Sequence, residues 1–463
     1  MSHDCFENSL DVSAYPYLAH LPYSATQLIT FIEQAGFEAW LVGGFVRDAL
    51  RGVKPHDADL TTNARWEEVK AIALSHDLTV HETGTKHGTV TVICNGDAIE
   101  VTTFRTEGAY RDHRHPESVT FITSLTEDLA RRDFTINAMA FHPSRGLADP
   151  FDGQSDLAHH LLRCVGNPTK RFQEDALRIL RGLRLASQLG FQFAPDTERA
   201  AFSCAYSLNE VAGERLCAEM DKLLCGKDIR RILMRYTDIL AVIIPQLHAM
   251  QGFDQHSPWH VYDVLEHTAT VVDHTPAKPL VRWAALFHDS GKPDTFLRDE
   301  KGVGHMPGHQ IASVDHVLQT AKKLHFSRKR THDLMLLVRF HDDHPKPTPQ
   351  SVCELYAKLE HNDELFHTMC DLMRADAMGQ AEFSHKRVRT IDAVEDLFNH
   401  MKETGACLSV KDLPVKGTDL IAMGIPAGPK IGLLLNEAFT AVSKGDIKPD
   451  RNAILDYVAC LVQ

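Results

Sequence analysis

Asp57 and Asp59 stand one residue apart, downstream of Gly43-Gly44-Phe45-Val46-Arg47-Asp48. On an extended strand alternate residues project to one face, so the two carboxylates would converge on a single hard cation. Mg²⁺ favours such oxygen ligands and shares them with substrate phosphates. Ala39-Trp40-Leu41-Val42 reads as a buried strand leading into the glycine pair, which lets the backbone turn tightly beside an anion. Arg47, on the helix that follows, is placed to pair with phosphate oxygens. Strand, Gly-Gly turn, basic helix and Asp-x-Asp strand would together set a metal-bound triphosphate beside a nucleophile. Alone, an Asp-x-Asp is more often ordinary exposed charge, and a Gly-Gly a plain turn. Their order and spacing carry the reading, because phosphoryl transfer needs these parts together. There is no G-x-x-x-x-G-K-[ST] loop, which argues against a P-loop ATPase.

The elements around these residues can be read from periodicity. Val90–Ile93 and Ala98–Phe104 are expected as paired strands, with Asn95-Gly96 as the hairpin turn. Ile99 and Val101 would face the core, leaving Glu100 on the other face with Thr102. Glu100 is therefore a third candidate carboxylate, placed to deprotonate an attacking hydroxyl or to complete the metal shell. Residues 26–160 mix strands and short helices, an α+β pattern. From Pro168 onward the pattern turns helical and is expected to stay so. The stretch Arg178 to Leu185 mixes apolar and basic residues at helical spacing and is ended by Gly190-Phe191. A second helix is expected over Gly213 to Leu224, and a third from near Asp228. Ala249 to Ser257 reads as a linker, Gly405 to Pro414 as another boundary, and Pro345, Pro347 and Pro349 as a sharp break between helices.

At 463 residues the chain should divide into roughly three domains. With 43% hydrophobic and 24% charged residues, it has an ordinary globular composition. No run is long enough to span a membrane, and the N-terminus lacks a basic-then-apolar leader pattern, so a cytoplasmic protein is expected. Ten cysteines without C-x-x-C spacing suit free thiols in a reducing compartment and argue against a structural zinc site. The net charge of −13 disfavours nucleic acid globally, but Arg163, Lys170, Arg171, Arg178, Arg181 and Arg184 cluster, followed by Arg230, Arg231 and Arg235. RNA binding would therefore be local and salt-sensitive.

The stretch from Leu41 to about Leu224 resembles the bacterial class II tRNA nucleotidyltransferases, the CCA-adding enzymes and their poly(A) polymerase relatives. Leu41 to Asp48 with Asp57 and Asp59 is similar to the family's catalytic motif. Thr103-Phe104-Arg105, with Tyr110, Asp112, Arg114 and Pro116, resembles its flexible loop. Asp128 to Ala138 resembles its ribose-recognising motif, and Asp149-Pro150-Phe151-Asp152-Gly153 its hinge between head and neck. The resemblance implies nucleotide contacts from Gly43, Gly44, Arg47, Asp48, Arg105, Arg114, Arg131, Arg132, Asp133, Asn137, Asp175, Arg178 and Arg181. Asp133 would accept a ribose 2′-hydroxyl. Glu174-Asp175-Ala176-Leu177-Arg178 matches the family's E-D-x-x-R, its protein template for the incoming base. Asp175 and Arg178, read as three apart on one helix, would share a face. Asp accepts from an exocyclic amine and Arg donates to a ring nitrogen or carbonyl, a pairing met by cytosine and adenine but not by uracil or guanine. Glu174 would pair with Arg178 and hold it. By itself such a pair would be an ordinary surface ion pair worth tenths of a kcal/mol.

A second constellation follows. His267, then His288-Asp289 in Ala284-Ala285-Leu286-Phe287-His288-Asp289-Ser290-Gly291-Lys292-Pro293, then Asp376 resemble the H…HD…D pattern of HD-domain phosphohydrolases. Two imidazoles and two carboxylates suit a divalent transition metal such as Ni²⁺ or Mn²⁺. His309 and His341 are further candidates for phosphate or a second ion.

The expected fold class is α+β: a nucleotidyltransferase head with a mixed β-sheet, followed by all-α neck/body, HD and tail domains. The expected boundaries are 26–160 for the head, 161–250 for the neck and RNA-binding body, 255–400 for the HD domain and 405–463 for the tail. The resemblance implies addition of C, C and A from CTP and ATP to tRNA with Mg²⁺, by a monomer or homodimer, with hydrolysis of 2′,3′-cyclic or 2′-phosphates at the HD site. Alternatives are a poly(A) polymerase, a partial CC- or A-adding enzyme, an HD phosphohydrolase with a non-catalytic head, or an inactive tRNA-binding module.

Overall fold

The burial of Thr89–Cys94, alternating residue by residue, is that of a strand with one covered face, and it belongs to a seven-stranded sheet. The structure, a computed structural model, describes residues 11–108 and 119–462. In chain order the strands are β1 (Ala39–Val42), β2 (Asp59–Thr62), β3 (Thr79–Gly84), β4 (Thr89–Cys94), β5 (Asp97–Thr103), β6 (Arg105–Glu107), β7 (Val119–Phe121), β8 (Ala140–His142) and β9 (Gly146–Ala148). The large sheet runs β3-β4-β5-β2-β1-β8-β9, while β6 and β7 form a separate pair. β2 and β5 are parallel and the other neighbours antiparallel, so the sheet is mixed. Asn95 and Gly96, at φ 51° and 88°, close the β4–β5 hairpin as their types require.

Register places the carboxylates. Val42 stands opposite Asp59, and Leu60 opposite Val101, so Asp59 lies between the end of β1 and Glu100 on β5. Leu60, Ile99 and Val101 are buried beneath, while Glu100 is exposed. The core there gathers Trp40, Val42, Phe104, Leu125, Leu129, Ala138, Ala140, Ala148 and Val165. β2 begins at Asp59, so Asp57 sits in the preceding loop rather than on a shared strand; Pro55 and the return from the helix Gly44–Leu50 keep that approach irregular.

Helices dominate after Pro168. Asn167 caps Pro168–Glu174 by accepting from the Lys170 amide at 3.0 Å, and Pro168 takes the first helical position. Leu177–Leu189 follows, ended by Gly190 at φ 76°. Asp175 lies between the two helices in extended conformation (φ −142°, ψ 104°), so it and Arg178 do not share one helix face as their spacing suggested. Two-residue ladders interrupt the helical region, Leu161–Leu162 with Gln192–Phe193 and Leu297–Arg298 with Gly304–His305.

The chain divides into two compact units, Met1–Leu223 and Leu224–Gln463. The division falls inside the segment expected as one neck and body. The second unit is helical, with Val264–His274, Pro279–Phe287, His309–Leu324, Arg328–Phe340 and Asp363–Gly379 at its centre. Asp263 caps the first of these on the Glu266 amide at 2.7 Å, and Asn362 caps the last on the Leu365 amide at 3.2 Å. The final segment has its own apolar cluster around Leu420, Leu434, Ala438, Ile454 and Val458. Among the described residues, no helix is long and apolar enough to cross a membrane.

Gly43 carries φ 68° and ψ −127°, and a Cβ there would meet an Arg132 Nη atom at 3.1 Å. Gly43→Ala should cost about 1–3 kcal/mol in urea unfolding. Gly44→Ala, whose Cβ meets nothing closer than 3.6 Å, should cost less than about 1 kcal/mol.

Candidate active site and metal centre

A cavity of 470 Å³ opens where β1 ends, lined by Gly43, Gly44, Asp59, Glu100, Arg105, Arg131, Arg132, Asp133, Asn137, Asp175, Arg178 and Arg181 among others. The structure thus brings together residues separated in sequence by more than a hundred positions. Asp57, Arg47 and Asp48 stand outside the lining, and Arg114, with Tyr110, Asp112 and Pro116, lies outside the described residues.

The Asp59 carboxyl is pushed up to about 6, by burial first, then by Glu100, with Arg132 opposing and Asp57 adding to the push. Glu100 and Asp57 thus raise the proton affinity of Asp59, as neighbouring anions do. Their oxygens are not all within 4.8 Å of one another, a closeness reached among the described residues by two groups in the second unit.

Behind the cavity runs a chain of ion pairs. Arg47 forks onto Asp48 (Nε–Oδ1 3.0 Å, Nη2–Oδ2 2.7 Å) and donates to Asn137 Oδ1 at 2.8 Å. Arg47 is thus held by Asp48 and Asn137 just behind the cavity lining. Asn137 donates to Asp133 Oδ1 at 3.3 Å, and Arg181 forks onto Asp133 Oδ2 at 2.8 and 2.7 Å. Burial would raise the Asp133 carboxyl, but the Arg181 and Arg178 guanidiniums outweigh it and hold it at about 2. Arg178 is anchored by Glu174 (2.7 Å) and by the carbonyls of Arg171 (3.1 Å) and Arg131 (3.2 Å), the Glu174 pairing being the one its spacing predicted. Asp175 accepts from the Leu177 amide at 3.1 Å and from Arg215 at 2.9 Å.

Asp128 is a residue the sequence reading passed over. Fully buried, it accepts from the Arg105 amide (3.2 Å), Thr61 Oγ1 (3.2 Å) and Arg131 Nε (2.9 Å), with Arg132 at 3.6 Å. One carboxylate thus holds both cavity arginines from behind. Its i,i+3 and i,i+4 spacing to Arg131 and Arg132 was the available signal.

In the second unit His267, His288, Asp289, Asp376, His309 and His341 are all buried and form two groups, His267/His288/Asp376 and Asp289/His309/His341. The helix Val264–His274 carries His267, the C-terminal ends of Pro279–Phe287 and Arg328–Phe340 present His288 and His341, His309 opens His309–Leu324, and Asp376 lies on Asp363–Gly379. Each imidazole spends Nδ1 on a backbone carbonyl: His267 on Gly379 (3.1 Å), His288 on Ala285 (2.7 Å), His309 on Met306 (3.0 Å) and His341 on Val338 (2.7 Å). An Nδ1–H donating to a carbonyl leaves, in the neutral ring, an Nε2 lone pair facing inward. Those lone pairs meet one another at 3.1 Å (His267–His288) and 3.4 Å (His309–His341), and meet Asp289 and Asp376 oxygens at 3.2–3.8 Å.

So many acceptors at such distances require positive charge among them, and the donor set of imidazole and carboxylate fits a divalent metal in each group. The residues respond to the same demand. Against the effect of burial, hydrogen bonds donated to Asp289 and Asp376 hold His267 up at about 9. Asp289 lies well below the carboxylate range, where the charges of His288 and Lys292 outweigh burial. Lys292, with Nζ 2.6 Å from Asp289 and 2.7 Å from Gln255, and Gln380, donating to both Asp376 oxygens at 3.0 Å, complete the surround. Sequence reasoning did not single out either.

A carboxyl whose folded pKa is raised contributes stability below its unfolded value of 3.8 that is lost as pH climbs toward 6. Metal-free Asp59→Asn should therefore melt at a higher temperature than wild type at pH 7 and show little gain at pH 4, read by calorimetry in EDTA; added Mg²⁺ should narrow the difference.

Comparison with known proteins fits this geometry. The family described as the poly A polymerase head domain matches residues 39–163, that described as the probable RNA and SrmB-binding site of polymerase A matches 190–251, and the HD domain matches 259–377. The chain is 33% identical over 444 residues to the CCA-adding enzyme of Leuconostoc citreum, covering 95% of this chain and 96% of that one. It is 34% identical over 441 residues to that of Geobacillus thermodenitrificans, covering 94% and 96%. The crystal structure of the Bacillus stearothermophilus CCA-adding enzyme in complex with CTP superposes with a TM-score of 0.66 at 29% identity, covering 95% of this chain and 97% of that one. A Thermotoga maritima CCA-adding enzyme complexed with tRNA shares the fold, with a TM-score of 0.62 at 20% identity, covering 98% of this chain and 99% of that one. Identity sustained along nearly the full length of both chains, together with the cavity at the end of β1, places this protein in the CCA-adding enzyme family of nucleotidyltransferases.

Proposed function

We propose that the head adds C, C and A to the 3′ end of tRNA, using CTP and then ATP and releasing pyrophosphate. The observation that carries this reading is a single cavity lined by Asp59 and Glu100 together with Asp175 and Arg178. The named relatives are CCA-adding enzymes, and the Bacillus stearothermophilus relative was solved with CTP.

In the reaction the tRNA 3′-hydroxyl oxygen bonds to the α-phosphate as the bond to pyrophosphate breaks. Asp57 and Asp59 are the residues that would hold Mg²⁺, which when bound neutralises triphosphate charge and makes the hydroxyl more acidic. Glu100, across from Asp59, is placed to take the hydroxyl proton. Arg131 and Arg132, steadied by Asp128, offer cationic edges to the phosphates, and Asp133, which already accepts from the Phe134 amide, Asn137 and Arg181, would take a ribose 2′-hydroxyl in exchange for the long 3.3 Å contact from Asn137. Asp175 accepts from the amine of cytosine or adenine while Arg178 donates to the ring. Both are tied down on their other sides, so the template does not adapt to uracil or guanine. Residues 161–250 would hold tRNA by shape and phosphate contacts. The division into head 26–160, body 161–250, HD domain 255–400 and tail 405–463 belongs to the same proposal, as does a cytoplasmic monomer or homodimer.

The second centre is proposed to hydrolyse 2′,3′-cyclic phosphates or 2′-phosphates on nucleotides or RNA ends, with Ni²⁺ or Mn²⁺ held by His267, His288, Asp289 and Asp376 and a second ion by Asp289, His309 and His341. What supports this is the orientation of four imidazoles by four backbone carbonyls.

A 3′-extension assay on tRNA lacking CCA, resolved at single nucleotides, should stop after C, C, A. A long adenosine tail would instead mean a poly(A) polymerase, and a stop after CC, or A alone, a partial enzyme. Asp57→Ala and Asp59→Ala should each lower extension at least a thousandfold, and Arg178→Ala should relax selection between C, A and U. EDTA-stripped protein reloaded with Ni²⁺ or Mn²⁺ should hydrolyse 2′,3′-cyclic AMP; Asp289→Asn should abolish this and leave extension intact. Hydrolysis that survives Asp289→Asn would sink the second assignment.

A further inference from the structure

Trp259 and Phe383 leave 55% and 47% of their surfaces in solvent, and their rings meet edge to face with centroids 4.7 Å apart. A Trp–Phe pair this exposed forgoes much of the burial that usually fixes such residues. The pair's position explains it. Trp259 directly precedes His260, which lines a 430 Å³ cavity over the metal-ligand cluster, and Phe383 follows Gln380, which lines it too. The Trp259 carbonyl accepts from the Ala381 amide at 2.9 Å, tying the two rim segments together. The His260 ring packs edge to face on His267, centroids 5.2 Å apart, and its Nε2 lies 3.4 Å from Lys292 Nζ. Adjacent Cα atoms are ~3.8 Å apart, so the platform begins one residue from a ring in contact with the cluster.

An exposed aromatic pair, itself outside the lining, thus stands one and three residues along the chain from His260 and Gln380, which line a polar cavity containing the buried Lys292 ammonium and two sets of metal-capable ligands. A ligand matching both carries a planar π-face and a phosphate within one nucleotide's reach. We propose that Trp259 and Phe383 form a base-stacking subsite, so that this centre selects phosphoesters bearing a nucleobase. The proposal rests on the reading of the cluster as a phosphoesterase for its substrate, but not for its binding step. Stacking tolerates any base, because each has a π-face, so the subsite discriminates base from no base rather than one base from another.

The test uses the full-length, Mn²⁺-loaded protein with two substrates, adenosine 2′,3′-cyclic phosphate and the base-free glycerol 1,2-cyclic phosphate. Trp259→Ala should raise KM for the adenosine ester roughly tenfold, the size of one base–aromatic stack, with kcat nearly unchanged. Glycerol ester turnover should not move, and Trp259→Tyr should restore the wild-type KM. Equal losses on both substrates, or no change on either, would overturn the subsite while leaving the hydrolase reading standing. An unchanged cooperative thermal unfolding transition, followed by circular dichroism, verifies the fold of each variant. If neither substrate is hydrolysed, the hydrolase reading fails and binding decides separately. Adenosine 2′-monophosphate should then quench tryptophan fluorescence in wild type, inorganic phosphate should not, and Trp259→Phe should lack that quench. The same quench in both proteins overturns the proposal.

Discussion

Acceptors crowded together need positive charge among them, and this constraint organises both centres. In the head, desolvation and then the charges of Glu100 and Asp57 raise the proton affinity of Asp59, and Arg132 relieves it only in part. In the second unit, four inward Nε2 atoms and two carboxylates are packed more tightly, with contacts down to 3.1 Å. Each site holds a divalent-ion arrangement under electrostatic load, and the surrounding fold must keep its members from separating. Stability is given up locally for a geometry that a cation completes.

The two centres resist that load in different ways. The head uses charge against charge: Asp128 secures Arg131 and Arg132, Arg181 secures Asp133, Glu174 secures Arg178, and Arg215 secures Asp175. These five members that face the cavity are thus tied from behind, which suits the recognition of a substrate carrying several charges. The second centre uses backbone carbonyls at the ends or edges of helices, one for each imidazole. A carbonyl fixes tautomer and ring direction without adding net charge, so the field at the centre is left to the carboxylates and Lys292.

Much of this was legible from residue order. The paired strands around Asn95-Gly96, the third carboxylate at Glu100, the Glu174–Arg178 pair and the H…HD…D set all follow from local periodicity or short spacing, which sequence records directly. What was misread depends on where an element breaks. Asp175 looked helical because Glu174 to Arg178 has helical spacing, yet the chain turns there from one helix into the next, and the Arg215 contact holding Asp175 comes from 40 residues away. Asp57 looked like part of a strand that begins only at Asp59. The contacts of Asp128, Lys292 and Gln380 went unseen because each is made to another side chain brought near by folding.

By itself the sequence determined the chemical inventory: an Asp-x-Asp after a Gly-Gly turn, an E-D-x-x-R, a His-Asp pair with distant His and Asp partners, and a mixed head followed by helices. These are properties of residue type and short-range spacing, and short-range geometry is set by the covalent chain. Only the tertiary structure decided which of these groups share a cavity. It set Glu100 beside Asp59 through parallel pairing of β5 with β2, and gathered His309 and His341 around the far oxygen of Asp289. It also left Trp259 and Phe383 uncovered at one rim. Strand register and helix packing bring together residues tens to hundreds of positions apart, and they are chosen by burial of the whole core, a sum that no local pattern contains.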